Sequence, residues 1–159
     1  MRSFRFCILG VLAVGLTALG ACADPKATDS DGIGGTDGDA DGVRDDVDRA
    51  ILDRYGADAA VAALQRQGAR AVEATLRAGA DGDPAAAAAA SDATFLWTTC
   101  MVALETERGL PWGWAEAETT WLGQQLRDTP ARAAAAAAYE ALRDGTVAAA
   151  PSPNGCAGA

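Results

Sequence analysis

Histidine is absent from this sequence of 159 residues, so the commonest general base of enzymes and the commonest nitrogen ligand of metals are both missing. Serine is scarce as well. Beyond the first 22 residues it occurs only at Ser30, Ser91 and Ser152, and none of these stands in the G-x-S-x-G pattern of serine hydrolases. These absences exclude the most familiar hydrolytic machinery.

Four glutamates are left as candidate acid–base pairs, namely Glu105 with Glu107 and Glu116 with Glu118. Residues two positions apart point to different faces of a helix, so both pairs are expected to belong to the solvated surface. The sequence therefore predicts a protein that is not an enzyme.

Basic residues are few, and Lys26 is the only lysine. The net charge is −9, and nine aspartates lie between Asp24 and Asp48 against Lys26 and Arg44. Nucleic-acid binding needs a basic face that neutralises phosphates, so it is excluded as a function. Large aliphatic residues are also sparse, which predicts a thin core, and no stretch alternates as a β-strand does. The sequence therefore predicts an all-α protein.

The first 22 residues have the features of an export signal. Arg2 and Arg5 provide a positive start, and residues 6–19 form an apolar run that is shorter than a typical membrane span. Residues 19–22, L-G-A-C, resemble the lipobox of bacterial lipoproteins. The resemblance implies cleavage before Cys22, attachment of lipid such as palmitate to that cysteine, and a membrane anchor facing the periplasm. Ala23, in place of an aspartate, favours the outer over the inner membrane; the alternative is an ordinary signal peptide with Cys22 free.

The remaining cysteines suit an oxidising compartment. Cys7 leaves with the signal and Cys22 carries lipid, so Cys100 and Cys156 remain as an even pair and are predicted to form a disulfide. The alternative is two free buried thiols.

An acidic stretch at residues 37–48 follows segment 22–36, which is rich in Asp, Gly, Ser and Thr and is predicted to be a lipidated, flexible acidic tether. A Ca²⁺ ion takes six or more oxygen ligands, and a twelve-residue loop supplies them from positions 1, 3, 5, 7, 9 and 12 around a glycine at position 6. Gly42 stands at that sixth position. The oxygens are then those of Asp37, Asp39, Asp41, the Val43 carbonyl, Asp45 and Asp48.

This stretch resembles the calcium loops of thrombospondin type 3 repeats and of dockerin-like, EF-hand-type modules. The resemblance implies Ca²⁺ coordination by the six residues just listed. Asp48 replaces the usual glutamate at position 12, Arg44 replaces an apolar residue at position 8, and no helix enters the loop. A single site with a dissociation constant of about 10⁻⁴–10⁻³ M is therefore expected. The alternative is an acidic spacer that binds no metal.

Hydrophobic spacing and helix signals predict four to five helices over residues 49–145. The first is expected to be capped by Asp45 or Asp46, and the second to end at Gly79. Asp83-Pro84 and Thr129-Pro130 are predicted to cap and start later helices. The third helix is expected to be the central one.

The four tryptophans have two interpretations. Trp97, Trp112, Trp114 and Trp121 would most simply fill the core, but Trp112 and Trp114 lie in a loop with Pro111 and Gly113 and would alternatively bind a partner. Residues 146–159 are predicted to be a tail tied back by Cys156. The segment 42–48, Cys100, residues 129–132 and Cys156 also resemble, faintly, small uncharacterised exported bacterial proteins, and this resemblance supports the cysteine pairing.

Together these features predict a lipid-anchored envelope protein with signal peptide 1–21, tether 22–36, calcium loop 37–48, helical domain 49–145 and tail 146–159. It would act as a binding or structural module for an envelope protein or cell-wall partner. The alternative function keeps the anchor and the helices, treats the acidic stretch as a spacer, and binds the partner through the Trp112–Trp114 region.

Overall fold

The computed structural model describes residues 32–147 and 155–156, and within these ranges the chain forms five helices and no strand. The helices are α1 (Asp45–Tyr55), α2 (Ala59–Asp81), α3 (Pro84–Glu107), α4 (Trp114–Leu126) and α5 (Pro130–Arg143). The predicted small all-α bundle is confirmed. The predicted signal peptide, the predicted lipidation site Cys22, the predicted tether up to residue 31 and residues 148–154 and 157–159 of the predicted tail lie outside the described residues.

The central helix is α2, which contacts each of the other four helices. The expectation that α3 is central was therefore wrong. Two glycines on α2 explain this arrangement, since a Cβ at Gly68 would lie 2.2 Å from the ring of Trp97 and a Cβ at Gly79 would lie 2.0 Å from the Ala135 carbonyl oxygen. Bare backbone at these two points lets α3 and α5 approach α2 closely.

Gly79 does not end α2, contrary to the prediction. The helix continues to Asp81, and Gly82 ends it in the left-handed conformation with φ +65°. The predicted caps of α3 and α5 are confirmed, since Asp83 accepts hydrogen bonds from the first backbone amides of α3 and Thr129 accepts one from the Arg132 amide. Each of these helices thus begins at the proline that directly follows its capping residue.

The start of α1 differs from its prediction, because neither Asp45 nor Asp46 caps it. Arg44 occupies the cap position without a side-chain cap, and both aspartates lie in the first turn of the helix. Asp45 instead accepts a hydrogen bond from the Gly38 amide, 2.8 Å away, and so belongs to the acidic loop. Negative charge in this turn still interacts favourably with the helix dipole.

The main core joins all of the first four helices. Its fully buried members include Val47 and Ile51 of α1, Met101 of α3 and Leu122 of α4. A second, smaller cluster is made by Ile33, Leu76, Ala135 and Ala136. Ile33 belongs to the last five residues of the segment predicted to be a tether, so this part of the segment is packed against the domain.

The helix α3 is long and apolar enough to cross a membrane by length and composition, the one such helix among the residues described. It packs against α2, α4 and α5, and it buries Trp97, Cys100 and Met101. The helix therefore packs on the bundle along one face.

Candidate metal site

The acidic loop bends back on itself through hydrogen bonds from its own backbone. Asp37 accepts the amide of Asp41 at 3.2 Å and the amide of Gly42 at 2.9 Å. Gly42 has a φ of +85°, which a residue with a side chain adopts only under strain. The glycine at the sixth position therefore makes the sharp turn that the sequence pattern requires.

Three aspartates converge where the loop closes. Asp37, Asp39 and Asp45 each offer a carboxylate oxygen, and these oxygens lie within 4.8 Å of one another. Ligands on opposite sides of a Ca²⁺ ion, each about 2.3–2.6 Å from it, would be about 5 Å apart. The three oxygens are thus close enough together to share one such ion.

The loop is closed by the first turn of α1. The Asp45 amide donates to the Thr36 carbonyl at 2.8 Å, while its carboxylate holds the Gly38 amide. Asp45 is the ninth residue of the loop and also the first residue of α1, so the formation of α1 and the closure of the loop are linked.

Two other predicted ligands are held by arginines of α2. Arg70 donates to the Asp41 carboxylate and to its carbonyl oxygen, both at 2.7 Å. Arg66 donates to the Asp48 carboxylate at 2.6 Å, and this hydrogen bond raises the pKa of the guanidinium. The structure does not bring Asp41 and Asp48 into the cluster of three, so their assignment as ligands stays a prediction.

The seventh position contributes its backbone carbonyl in the predicted site. The side chain of Val43 at this position is buried in the main core. Its amide donates to the Asp41 carboxylate at 2.8 Å. Packing of Val43 fixes the middle of the loop against the domain.

Two buried arginines secure the flanks of the loop. Arg44 donates to Asp46 and to Asp128, and these hydrogen bonds lower the pKa of both carboxyl groups. Arg132, which is 2% exposed, bonds Glu73 at 2.8 Å and the carbonyl oxygens of Ile33 and Gly34. These side-chain contacts therefore hold the acidic loop against the junction between α4 and α5.

The predicted disulfide is present. Cys100 of α3 is bonded to Cys156, which closes a separation of 56 residues. The neighbouring Gly155 carbonyl accepts a hydrogen bond from the Gln67 side chain on α2. The end of the chain is thereby attached beside α2 and α3.

The four tryptophans divide between the two interpretations. Trp97 is buried, and Trp121 packs edge-on against Tyr55 with ring centroids 5.4 Å apart. Trp114 is half-buried against the core, whereas Trp112 is 95% exposed. Core packing thus accounts for three of the four, and Trp112 remains as a candidate contact residue.

The glutamates are not all solvated, contrary to expectation. Glu118 is buried, accepts hydrogen bonds from Tyr55 and Arg54, and adds to the effect of burial in raising the pKa of Tyr55. Glu105 is half-buried and accepts the Ala115 amide at 2.7 Å at the start of α4. Spacing along a helix does not reveal these tertiary partners.

Arg66 and Arg70 are the residues of the site that the sequence reasoning missed. Their spacing of four residues places them on one face of α2, which is a visible signal. That this face lies against the acidic loop depends on the packing of α1 on α2.

The chain matches no protein-family model, no curated protein and no solved structure.

Proposed function

We propose that this protein is a lipid-anchored envelope module whose acidic loop binds one structural Ca²⁺ ion. The observation that carries the proposal is the convergence of the Asp37, Asp39 and Asp45 carboxylates. Oxygen-only ligands of this kind suit a hard cation such as Ca²⁺.

The ion would act on folding. Three carboxylates within 4.8 Å repel one another, and a divalent cation between them removes that repulsion. Because Asp45 is also the first residue of α1, binding would stabilise the start of that helix and its contact with the loop. With three carboxylates and water molecules as ligands, we expect a dissociation constant of about 10⁻⁴–10⁻³ M.

Calorimetric titration of the full chain with CaCl₂ tests the proposal. We expect saturable binding at a stoichiometry of one and a higher melting temperature in millimolar Ca²⁺. Asp39→Asn should weaken binding at least tenfold, because it removes one of the charged ligands.

Asp53→Asn is the matched control, since Asp53 is an exposed acid of α1 outside the loop. It should bind Ca²⁺ as the parent chain does. The absence of binding heat at millimolar Ca²⁺, or an equal loss of calcium affinity in Asp39→Asn and Asp53→Asn, would contradict the proposed calcium site.

The anchor is supported by the sequence alone, through the export signal and the L-G-A-C motif at residues 19–22. Expression in a bacterium with intact lipoprotein processing should give a detergent-phase protein whose N-terminal peptide carries acyl chains. Cys22→Ser should give a protein without acyl chains. A parent chain found in the aqueous phase would contradict the anchor.

The second candidate function does not need the ion. In it the acidic loop is a spacer and the domain binds an envelope partner through the Trp112–Trp114 region. The 95% exposure of Trp112 favours this candidate.

A further inference from the structure

The turn that carries Trp112 is held in place without burial of the indole. The Leu110 amide donates to the Glu105 carbonyl at 2.9 Å, and the Trp114 amide donates to the Pro111 carbonyl at 3.0 Å. The Glu105 carboxylate also holds the Ala115 amide. Because the backbone of this turn is already ordered, binding to it costs little loop-ordering entropy, which favours recognition.

This end of the bundle is strongly acidic. Six carboxylates and two guanidinium groups lie where α1 and α3 end and α4 begins, namely those of Asp53, Asp58, Glu105, Glu107, Glu116 and Glu118 and those of Arg54 and Arg108. Both guanidinium groups are already paired, Arg54 with Glu118 and Arg108 with Asp58. Glu107 and Glu116, on either side of the turn, are exposed and form no ion pair within the described part of the chain.

The turn also lies at the far end of α4 from the place where the chain enters the domain. Gly32 lies against Ala131 at the start of α5, just after α4 ends. The 13 residues of α4 separate this point from Trp112 by about 20 Å. Trp112 thus lies at the opposite end of α4 from Gly32, the first residue that the structure describes.

We propose that the Trp112 turn docks a cationic peptide segment of another protein. An arginine or lysine side chain would stack on the indole face while neighbouring basic groups meet Glu107 and Glu116. The charge complementarity selects this occupant, because a nucleic acid or an anionic lipid surface would be repelled by the same carboxylates. The proposal rests on the second candidate function, for which it names the class of partner, and does not depend on the calcium site.

The test is fluorescence anisotropy of a labelled octapeptide of alternating arginine and alanine, titrated with the full chain at low ionic strength. Trp112→Ala should weaken binding about fivefold, which corresponds to about 1 kcal/mol for an exposed cation–π contact. Trp112→Phe, which keeps an aromatic face, should lose less. The double variant Glu107→Gln with Glu116→Gln should also bind more weakly.

The control is Asp92→Asn with Asp144→Asn, which removes the same charge from exposed positions on α3 and after α5. It should bind the peptide as the parent does. Equal weakening in both double variants, or unchanged binding by Trp112→Ala, would show attraction to net charge only and overturn the proposal. Equal or tighter binding of a glutamate–alanine peptide or of anionic vesicles would overturn it as well.

Discussion

At the scale of single residues, two carboxylates of the acidic loop are paired with arginines of α2. Arg66 and Arg70 hold Asp48 and Asp41 through the hydrogen bonds of 2.6 and 2.7 Å described above. Both pairs are partly exposed, so each is worth only a fraction of a kcal/mol. A divalent ion would compete with these arginines for the same carboxylates.

Replacing both arginines should therefore strengthen calcium binding. We expect Arg66→Gln with Arg70→Gln to lower the calcium dissociation constant by roughly two- to fivefold, because Asp41 and Asp48 become free to turn inward. The melting temperature of the metal-free chain should fall slightly. Calorimetry and thermal unfolding measure both effects.

Arg77→Gln provides the comparison, since Arg77 lies on the same helix, is exposed and forms no ion pair within the described ranges. It should leave the dissociation constant unchanged. An unchanged value in the double variant would show that Asp41 and Asp48 do not act as ligands.

The sequence predicted the spacing of the carboxylates but not which of them converge. Alternation followed by Gly42 is a local pattern, and the loop turns where that pattern places the glycine. The partners of Asp41 and Asp48 come from 29 and 18 residues further along the chain, respectively, so local spacing carries no information about them.

At the scale of helices, the same residue type acts in opposite ways on α2. Gly82 ends the helix through its positive φ, whereas Gly79 lies inside it and faces the backbone of α5. In the sequence, both glycines follow the apolar residues of α2, and nothing local distinguishes one from the other. Only the packing distinguishes a terminator from a contact point, which is why α2 was predicted too short.

Gly79→Ala should be strongly destabilising. Its Cβ would lie 2.0 Å from the Ala135 carbonyl oxygen and 2.8 Å from the Tyr139 nitrogen, so α5 would have to move. Overpacking of this kind costs about 1–3 kcal/mol, and rigid backbone favours the upper end. Urea unfolding of the variant measures the change.

Gly123→Ala in α4 separates this contact from helix propensity. Nothing lies within 4 Å of a Cβ at Gly123, so alanine there should stabilise the protein by about 0.5–1 kcal/mol. If both substitutions stabilise the protein, the close approach of α5 to α2 is wrong.

At the scale of the whole molecule, several carboxylates are tied to arginines across the bundle. Hydrogen bonds from Arg44 lower the pKa of Asp46 and Asp128, and one from Arg108 lowers the pKa of Asp58. A carboxyl group whose pKa is lower in the folded state than in the unfolded state, where it is 3.8, stabilises the folded protein at pH values above 3.8. That contribution is lost as the pH falls through the lowered folded pKa.

The free energy of unfolding should therefore fall below about pH 4 and stay nearly level between pH 6 and 8, where the absent histidines would otherwise titrate. Urea midpoints in chelator at pH 7, 5, 4 and 3 measure this. Asp128→Asn should flatten the acid decline, and Asp81→Asn, which removes an exposed acid outside these pairs, should not. A steep change near pH 6.5 would contradict the prediction.

The fold class followed from the sequence because α-helical spacing, proline starts and glycine ends are local signals. The arrangement of the ends of the bundle did not follow, since it depends on Arg44, Arg132 and Arg108 bridging distant elements. The acidic loop at one end and Trp112 at the other is thus a product of tertiary packing.

The cystine between Cys100 and Cys156 makes residues 100–156 part of one covalent ring. A protease that cuts once inside the ring, for instance at the exposed turn beside Trp112, opens it without releasing a fragment. The two pieces would run as one band on a gel until a reductant is added. A nicked molecule can therefore keep α4 and α5 in place, provided that its surroundings remain oxidising.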